Sequence, residues 1–173
     1  IDNYNFFEKL LFFLKSFHNY QVVKEIKSII KNNKIDIAHI HNVFPLISPA
    51  VYLLLKKNNI KIVQTLHNFR FLCPNALFFT KNRVCTKCLS GNFFHCIINK
   101  CYKDSFIFSI LYALIISINK KTFKKRIDRY IALTDFTKNI FAENGFNREK
   151  IVVKSNPFFE QKTKRGENLN YFL

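Results

Sequence analysis

Two kinds of side chain in this sequence could do chemistry, and both fall between Lys61 and Cys101. The first is an imidazole. His67 stands with Asn68 at the end of the apolar run Ile62-Val63-Gln64-Thr65-Leu66. An imidazole placed there can donate or accept a proton, or polarise a substrate oxygen, near neutral pH. Its plainer role is hydrogen bonding to loop backbone. The second is a group of thiols: Cys73, Cys85, Cys88, Cys96 and Cys101. Cys85-x2-Cys88 poises two thiolates for one tetrahedral ion. Cys101 offers a third ligand and Cys73 a candidate fourth, leaving Cys96 over, although His95 or Cys96 could substitute. A structural zinc is the preferred reading, ahead of free buried thiols and of redox or disulfide chemistry. Catalytic zinc is disfavoured, because four available thiolates make a closed site.

Other polar groups surround these. Arg70 is a candidate anion contact, or a surface arginine packing on Phe69 or Phe71. His41-Asn42 and Thr134-Asp135 end two further apolar runs. His39, inside its run and on the face of His41, reads as a satisfied core histidine. There is no Gly-rich phosphate loop, no Walker pattern and no nucleophile elbow, and the 11 acidic residues form no evident catalytic pair.

Periodicity supplies the elements that must position these groups. Residues Asn5 to Phe17 are apolar all round (Phe6, Phe7, Leu10, Leu11, Phe13, Leu14, Phe17), as in a buried or partner-covered helix. Tyr20 to Lys31 reads as an amphipathic helix. Ile35 to His41 reads as a strand. Ser48 and Pro49 read as the N-cap and first residue of a helix to about Lys57, ended by Asn58-Asn59. Lys61 to Leu66 is the next strand. The order signals a parallel βαβ unit with both faces covered. The loop 68–103 is too long for plain coil, so the cysteines are read as its organiser. An apolar helix follows from Ser105 to about Asn119, then a strand from Ile127 to Leu133. Thr134 or Asp135 caps a helix through Asn144, with Gly145 at C′. Ile151 to Lys154 is a fourth strand. In such a sheet ligands bind beyond the carboxyl ends of the strands, so His41-Asn42, His67-Asn68 and Thr134-Asp135 should converge on one crevice. Residues 1–157 read as one partial Rossmann-like α/β domain, and 158–173 as a linker and the start of another strand.

The composition agrees with a globular domain: 173 residues, 49% of them hydrophobic. The formal charge of +17 favours an anionic partner, whether nucleic acid, membrane surface or phosphorylated substrate, or reflects a lysine-biased surface. The densest basic run, Lys120 to Arg126, follows the apolar helix. Together they read as a membrane-surface contact, or as a buried helix with a solvated lysine end. The apolar run Phe106 to Ile118 is shorter than the roughly 20 residues that span a bilayer. With no export signal, a cytoplasmic protein with reduced thiols is expected, peripheral on the inner face of the membrane.

Four segments, Asp36-Ile37-Ala38-His39-Ile40-His41-Asn42, Gln64-Thr65-Leu66-His67-Asn68, Leu72-Cys73-Pro74-Asn75 and Ile131-Ala132-Leu133-Thr134, resemble the N-terminal, acceptor-side domain of family 4 glycosyltransferases. The resemblance runs from about Tyr20 to Pro157. A subset of that family carries a cysteine-bearing loop similar to Cys85, Cys88, Cys101 and Tyr102. The resemblance implies GT-B architecture, a nucleotide-sugar donor held mainly by a second domain, and a saccharide or lipid-linked acceptor. It places His67 near the transferred sugar and Thr134 facing the same cleft, with nucleic acid no longer an expected partner. It also implies a chain that transfers no sugar alone, since the family's first strand, Gly-rich loop and diphosphate-gripping motifs are not in it. Two other readings compete: a zinc-containing basic nucleic-acid-binding module, and a non-catalytic scaffold that binds partners through the Phe-rich first helix.

Overall fold

The computed structural model describes residues 5–43 and 46–157. Helices α1 (Phe6–Phe17) and α2 (Tyr20–Asn32) lead into β1 (Ile37–Ile40), and α3 (Ala50–Lys57) returns the chain to β2 (Lys61–Leu66). The insertion follows, with hairpin strands β3 (Phe79–Thr80) and β4 (Arg83–Val84) and the short α4 (Phe94–Ile98). Then come α5 (Phe106–Lys125), β5 (Arg129–Ala132), α6 (Asp135–Glu143) and β6 (Ile151–Val153). Side-chain oxygens close most helix starts against otherwise orphaned N–H groups. Asn5 forms a capping box with Glu8, Asn19 accepts from Val22, Ser105 from Phe108 and Thr134 from Thr137.

The four main strands pair in the order β1-β2-β5-β6, all parallel. This is the Rossmann-like α/β arrangement expected from the sequence. The strands advance in one direction, and parallel crossovers are almost always right-handed, so α3, α5 and α6 fall on one face. Ile62 and Leu66 of β2, Tyr130 and Ala132 of β5 and Ile151 of β6 are buried there with Tyr52, Leu55, Phe123 and Phe141. The opposite face carries Ile37, His39, Arg129 and Val152, which are exposed among the described residues. The expectation of strands covered on both faces is therefore corrected: the direction of winding covers one.

Two further expectations change. Ser48 does not cap α3. It has φ +75°, and its Oγ accepts the Asn19 N–H at 3.2 Å, joining this turn to the start of α2. Pro49 occupies the cap position with no side-chain hydrogen bond. Helix α5 runs six residues past Asn119, so the basic run Lys120 to Arg126 is its last turns and C-cap rather than a separate tail. Within it Thr122 and Phe123 are buried, and Lys124 Nζ donates to Asn144 O at 2.5 Å. With 20 residues and a mean hydropathy of 1.4, α5 is long and apolar enough to cross a membrane by length and composition. One face of it is nevertheless buried in the protein through Tyr112, Ala113, Ile115, Ile116 and Phe123.

Asp128 ties the sheet to α3. Its Oδ2 accepts from Lys56 Nζ at 2.5 Å and from the Ile62 N–H at 2.7 Å. The expected linker and incipient strand at 158–173 lie outside the described residues, as do the side chains of Phe6, Phe7, Leu10 and Phe13.

Candidate functional site

The carboxyl ends of β1 and β2 are adjacent because the strands pair in register, Ile40 beside Gln64. The next residues therefore meet. His41 Nδ1 and His67 Nε2 lie 2.7 Å apart with stacked rings. A hydrogen bond between two imidazole nitrogens needs one N–H and one lone pair, so the two rings hold a proton between them. His39 extends the array: its ring centroid is 4.4 Å from that of His41, and its Nε2 is 2.8 Å from Thr65 Oγ1. His39 is exposed on the uncovered face, not a core residue as its position within the strand suggests. Partial burial of the ring, and then the neighbouring His41, His67 and Lys154, hold it below the usual histidine range.

A buried glutamine fixes this edge. Gln64 Nε2 donates to His41 O at 2.6 Å and to Thr65 O at 2.8 Å, while Gln64 Oε1 accepts from Tyr52 OH at 2.5 Å. The Tyr52 hydroxyl is held protonated by burial and by Tyr130. Neither residue was signalled by sequence. Gln64 lies within an apolar run and Tyr52 within a helix, and only pairing across the sheet reveals their roles.

A small pocket of about 20 Å³ opens here between the two strand ends and Arg70. It includes His41, Asn42, His67, Asn68 and Arg70 among its lining, which brings together five of the six residues expected to touch substrate. Asn68 Oδ1 accepts the Arg70 N–H at 3.1 Å and shapes the turn. The Arg70 guanidinium lies over Tyr112 and Tyr102, at 5.5 and 5.9 Å from the ring centroids, and its Nη1 is buried without a hydrogen-bond partner. Thr134 is not in this lining. It is exposed and its Oγ1 accepts the Thr137 N–H at 3.2 Å, capping α6. The pocket has room for a water molecule or two and not for a sugar ring, so it is one wall of a site. A larger apolar groove of about 470 Å³ runs between α2, β1 and α3.

The cysteines gather elsewhere. Cys73, Cys85, Cys88 and Cys101 line one small cavity, and Cys96 lines it too. All five are free thiols. Burial, followed by the neighbouring thiols, pushes Cys88 up to about 12 and raises Cys96. Burial also raises Cys73, against backbone N–H groups of Phe78, Asn75 and Ala76 that lower it. Among the described residues no three Cys, His, Asp or Glu side chains already form a metal-ready set.

The sequence model of Glycosyltransferase Family 4 matches residues 4–158, nearly the whole chain. The chain belongs to glycosyltransferase family 4. The matched span contains both strand ends, the histidine pair and all five cysteines. This family 4 chain is also 26% identical over 171 residues to an "Uncharacterized 42.6 kDa protein in cps region" of Klebsiella pneumoniae. That alignment covers 94% of the chain and 39% of the relative, so the chain spans about two-fifths of that protein's length. No solved structure matches it.

Proposed function

We propose that this chain is the acceptor-side part of a retaining glycosyltransferase of GT-B architecture. It would help move a sugar from a nucleotide-sugar donor to a saccharide or lipid-linked acceptor in cell-surface polysaccharide synthesis. The observation that carries this reading is the His41–His67 pair at the adjoining carboxyl ends of two parallel strands, in a family 4 chain. The cps region named for the Klebsiella relative supports a polysaccharide product. The pocket supports a shared site, because its size admits only the edge of a sugar and leaves the nucleotide to be held elsewhere.

The chain's own contribution is orientation and electrostatics. His67 faces the sugar undergoing transfer, and its bond to His41 sets which nitrogen carries the proton. Arg70, which lines the same pocket, supplies a charge-assisted donor to a phosphate of the acceptor or donor. A net charge of +17 supports a place against the anionic inner face of the cytoplasmic membrane, where a lipid-linked acceptor would be presented.

Replacement of His67 by Ala in the full-length enzyme tests the reading. Transfer should fall by about 100-fold or more with unchanged far-UV circular dichroism and thermal midpoint. Unchanged activity would remove His67 from the site. The isolated 173-residue chain should turn over no nucleotide sugar.

A further inference from the structure

We infer that Cys73, Cys85, Cys88 and Cys101 are the ligands of one structural zinc ion that closes the insertion, with Cys96 beside them as a packing residue. The site is separate from the histidine edge and does not depend on the reaction proposed above.

The first observation is convergence. The four thiols come from separate turns. Cys73 lies in the turn in which its N–H donates to Phe69 O and its carbonyl accepts from Ala76 N. Cys85 follows β4, with its N–H on Phe78 O. Cys88 lies in the single helical turn Lys87–Ser90, and Cys101 follows α4. Local structure alone has no reason to bring these turns to one cavity. They nevertheless line a space of about 10 Å³, ion-sized, with Cys96, Asn75, Phe79 and Thr80 as the other lining residues.

The second observation is that this part of the fold is poorly supported otherwise. Its hairpin strands are two residues long, too short to hold by pairing alone. Of the nine described non-glycine residues with positive φ, seven lie between Ala76 and Asp104, including Ala76 at +70° and Phe78 at +53°. Such conformations persist only where surrounding structure over-determines them. Ala76, Phe78 and Phe93 are buried, but Leu77, Phe79, Val84, Phe94 and Ile98 are exposed, so apolar burial provides only part of that constraint. A cross-link supplies the rest, and none of the thiols is in a disulfide.

Depth of burial sets Cys96 apart from the other sulfurs: it is 1% exposed, against 6% for Cys73 and Cys88, and packs with Phe93, Ala113 and Ile116 in the cluster that also holds Cys88. Four thiolates with no oxygen or imidazole ligand suit zinc. Cys73 Sγ now donates to Asn75 Oδ1 at 3.0 Å and Cys101 Sγ to Thr80 Oγ1 at 3.5 Å. Closing the site requires both to exchange these weak bonds for the metal by side-chain rotation. Next to Cys101, the Tyr102 ring stacks on Tyr112 beneath Arg70.

The test uses full-length protein purified under reducing, chelator-free conditions. Elemental analysis should find about one zinc per chain. Cobalt(II) in its place should give the intense near-ultraviolet thiolate charge-transfer band and the visible bands of a tetrahedral site. Cys96→Ala should keep the metal, and Cys73→Ser and Cys88→Ser should lose it. Because those variants could unfold, wild-type protein is also alkylated before and after chelation; the four ligand thiols should become reactive only afterwards. Less than about 0.2 equivalents of zinc, with no cobalt–thiolate band, would overturn the site. Loss of metal from Cys96→Ala with retention in Cys73→Ser would overturn the ligand assignment, as would alkylation unaffected by chelation.

Discussion

Gln64 is the residue on which the shape of the histidine edge depends, and both ends of its amide are engaged within the protein. It is 3% exposed and satisfies both the Tyr52 hydroxyl and the His41 carbonyl. Gln64→Leu keeps the bulk and strands both partners, so unfolding free energy in urea should fall by about 2–3 kcal/mol. A loss below about 0.5 kcal/mol would mean that water replaces the amide. Asp128 sets an acid dependence. Burial alone would raise its carboxyl, but the Lys56 hydrogen bond, the Ile62 N–H and the Lys56 and Lys61 charges bring it below the ordinary carboxylate range. The unfolded carboxyl, near pH 3.9, binds its proton first as pH falls. Asp128 therefore stabilises the fold fully above that pH, and the contribution disappears as pH drops through the lower folded value. Asp128→Asn should remove that part of the acid slope in denaturation followed from pH 7 to pH 2, at a cost of about 1–2 kcal/mol at neutrality. His67 and His41 were legible because each ends an apolar run. His39 was misread because alternation within a strand tells which residues share a face, not whether anything covers it. Gln64 stayed hidden because a buried amide in a β-branched run looks like one more strand position.

At the scale of elements, the strands and the main helices were readable from period and punctuation. Lys61–Leu66 forms the strand its sequence suggests, and Thr134 and Gly145 bound α6 as their types require. What was not readable was the extent of α5. Lysines continue a helix about as readily as they follow one, and a basic run in its last turns complements the dipole, so the run does not mark where the helix stops. Their roles emerge only from contacts made across the fold. Lys124 Nζ reaches Asn144 O and lies 5.5 Å from the centroid of the Phe146 ring. Gly145, at φ +84°, makes room for it: a Cβ there would stand 2.8 Å from Lys124 Nζ. Gly145→Ala should therefore cost about 1–2 kcal/mol, part backbone strain and part displaced lysine, measured by the thermal midpoint. The outer side of α5 exposes Ile107, Leu114 and Ile118 above Lys121 and Lys125. If this face meets an anionic bilayer, vesicles containing phosphatidylglycerol should sediment the full-length enzyme, and Ile118→Asp should weaken that binding about tenfold or more. Equal binding to neutral vesicles would argue against it.

For the whole molecule, the order β1-β2-β5-β6 explains why the sequence predicted the sheet and missed its asymmetry. Each βαβ step is written locally, whereas the face left uncovered results from all the steps winding the same way. The same order has a kinetic consequence. β2 and β5 are hydrogen-bonded neighbours, yet the cysteine-bearing insertion and all of α5 lie between them in sequence. Their pairing must wait for a long loop to close, and that entropy is lost before the pairing returns anything. A collapsed insertion shortens the effective loop. The speed at which the sheet is completed is thus governed by residues that never enter it. Changes that loosen the insertion should slow the refolding arm of a stopped-flow chevron more than they quicken unfolding.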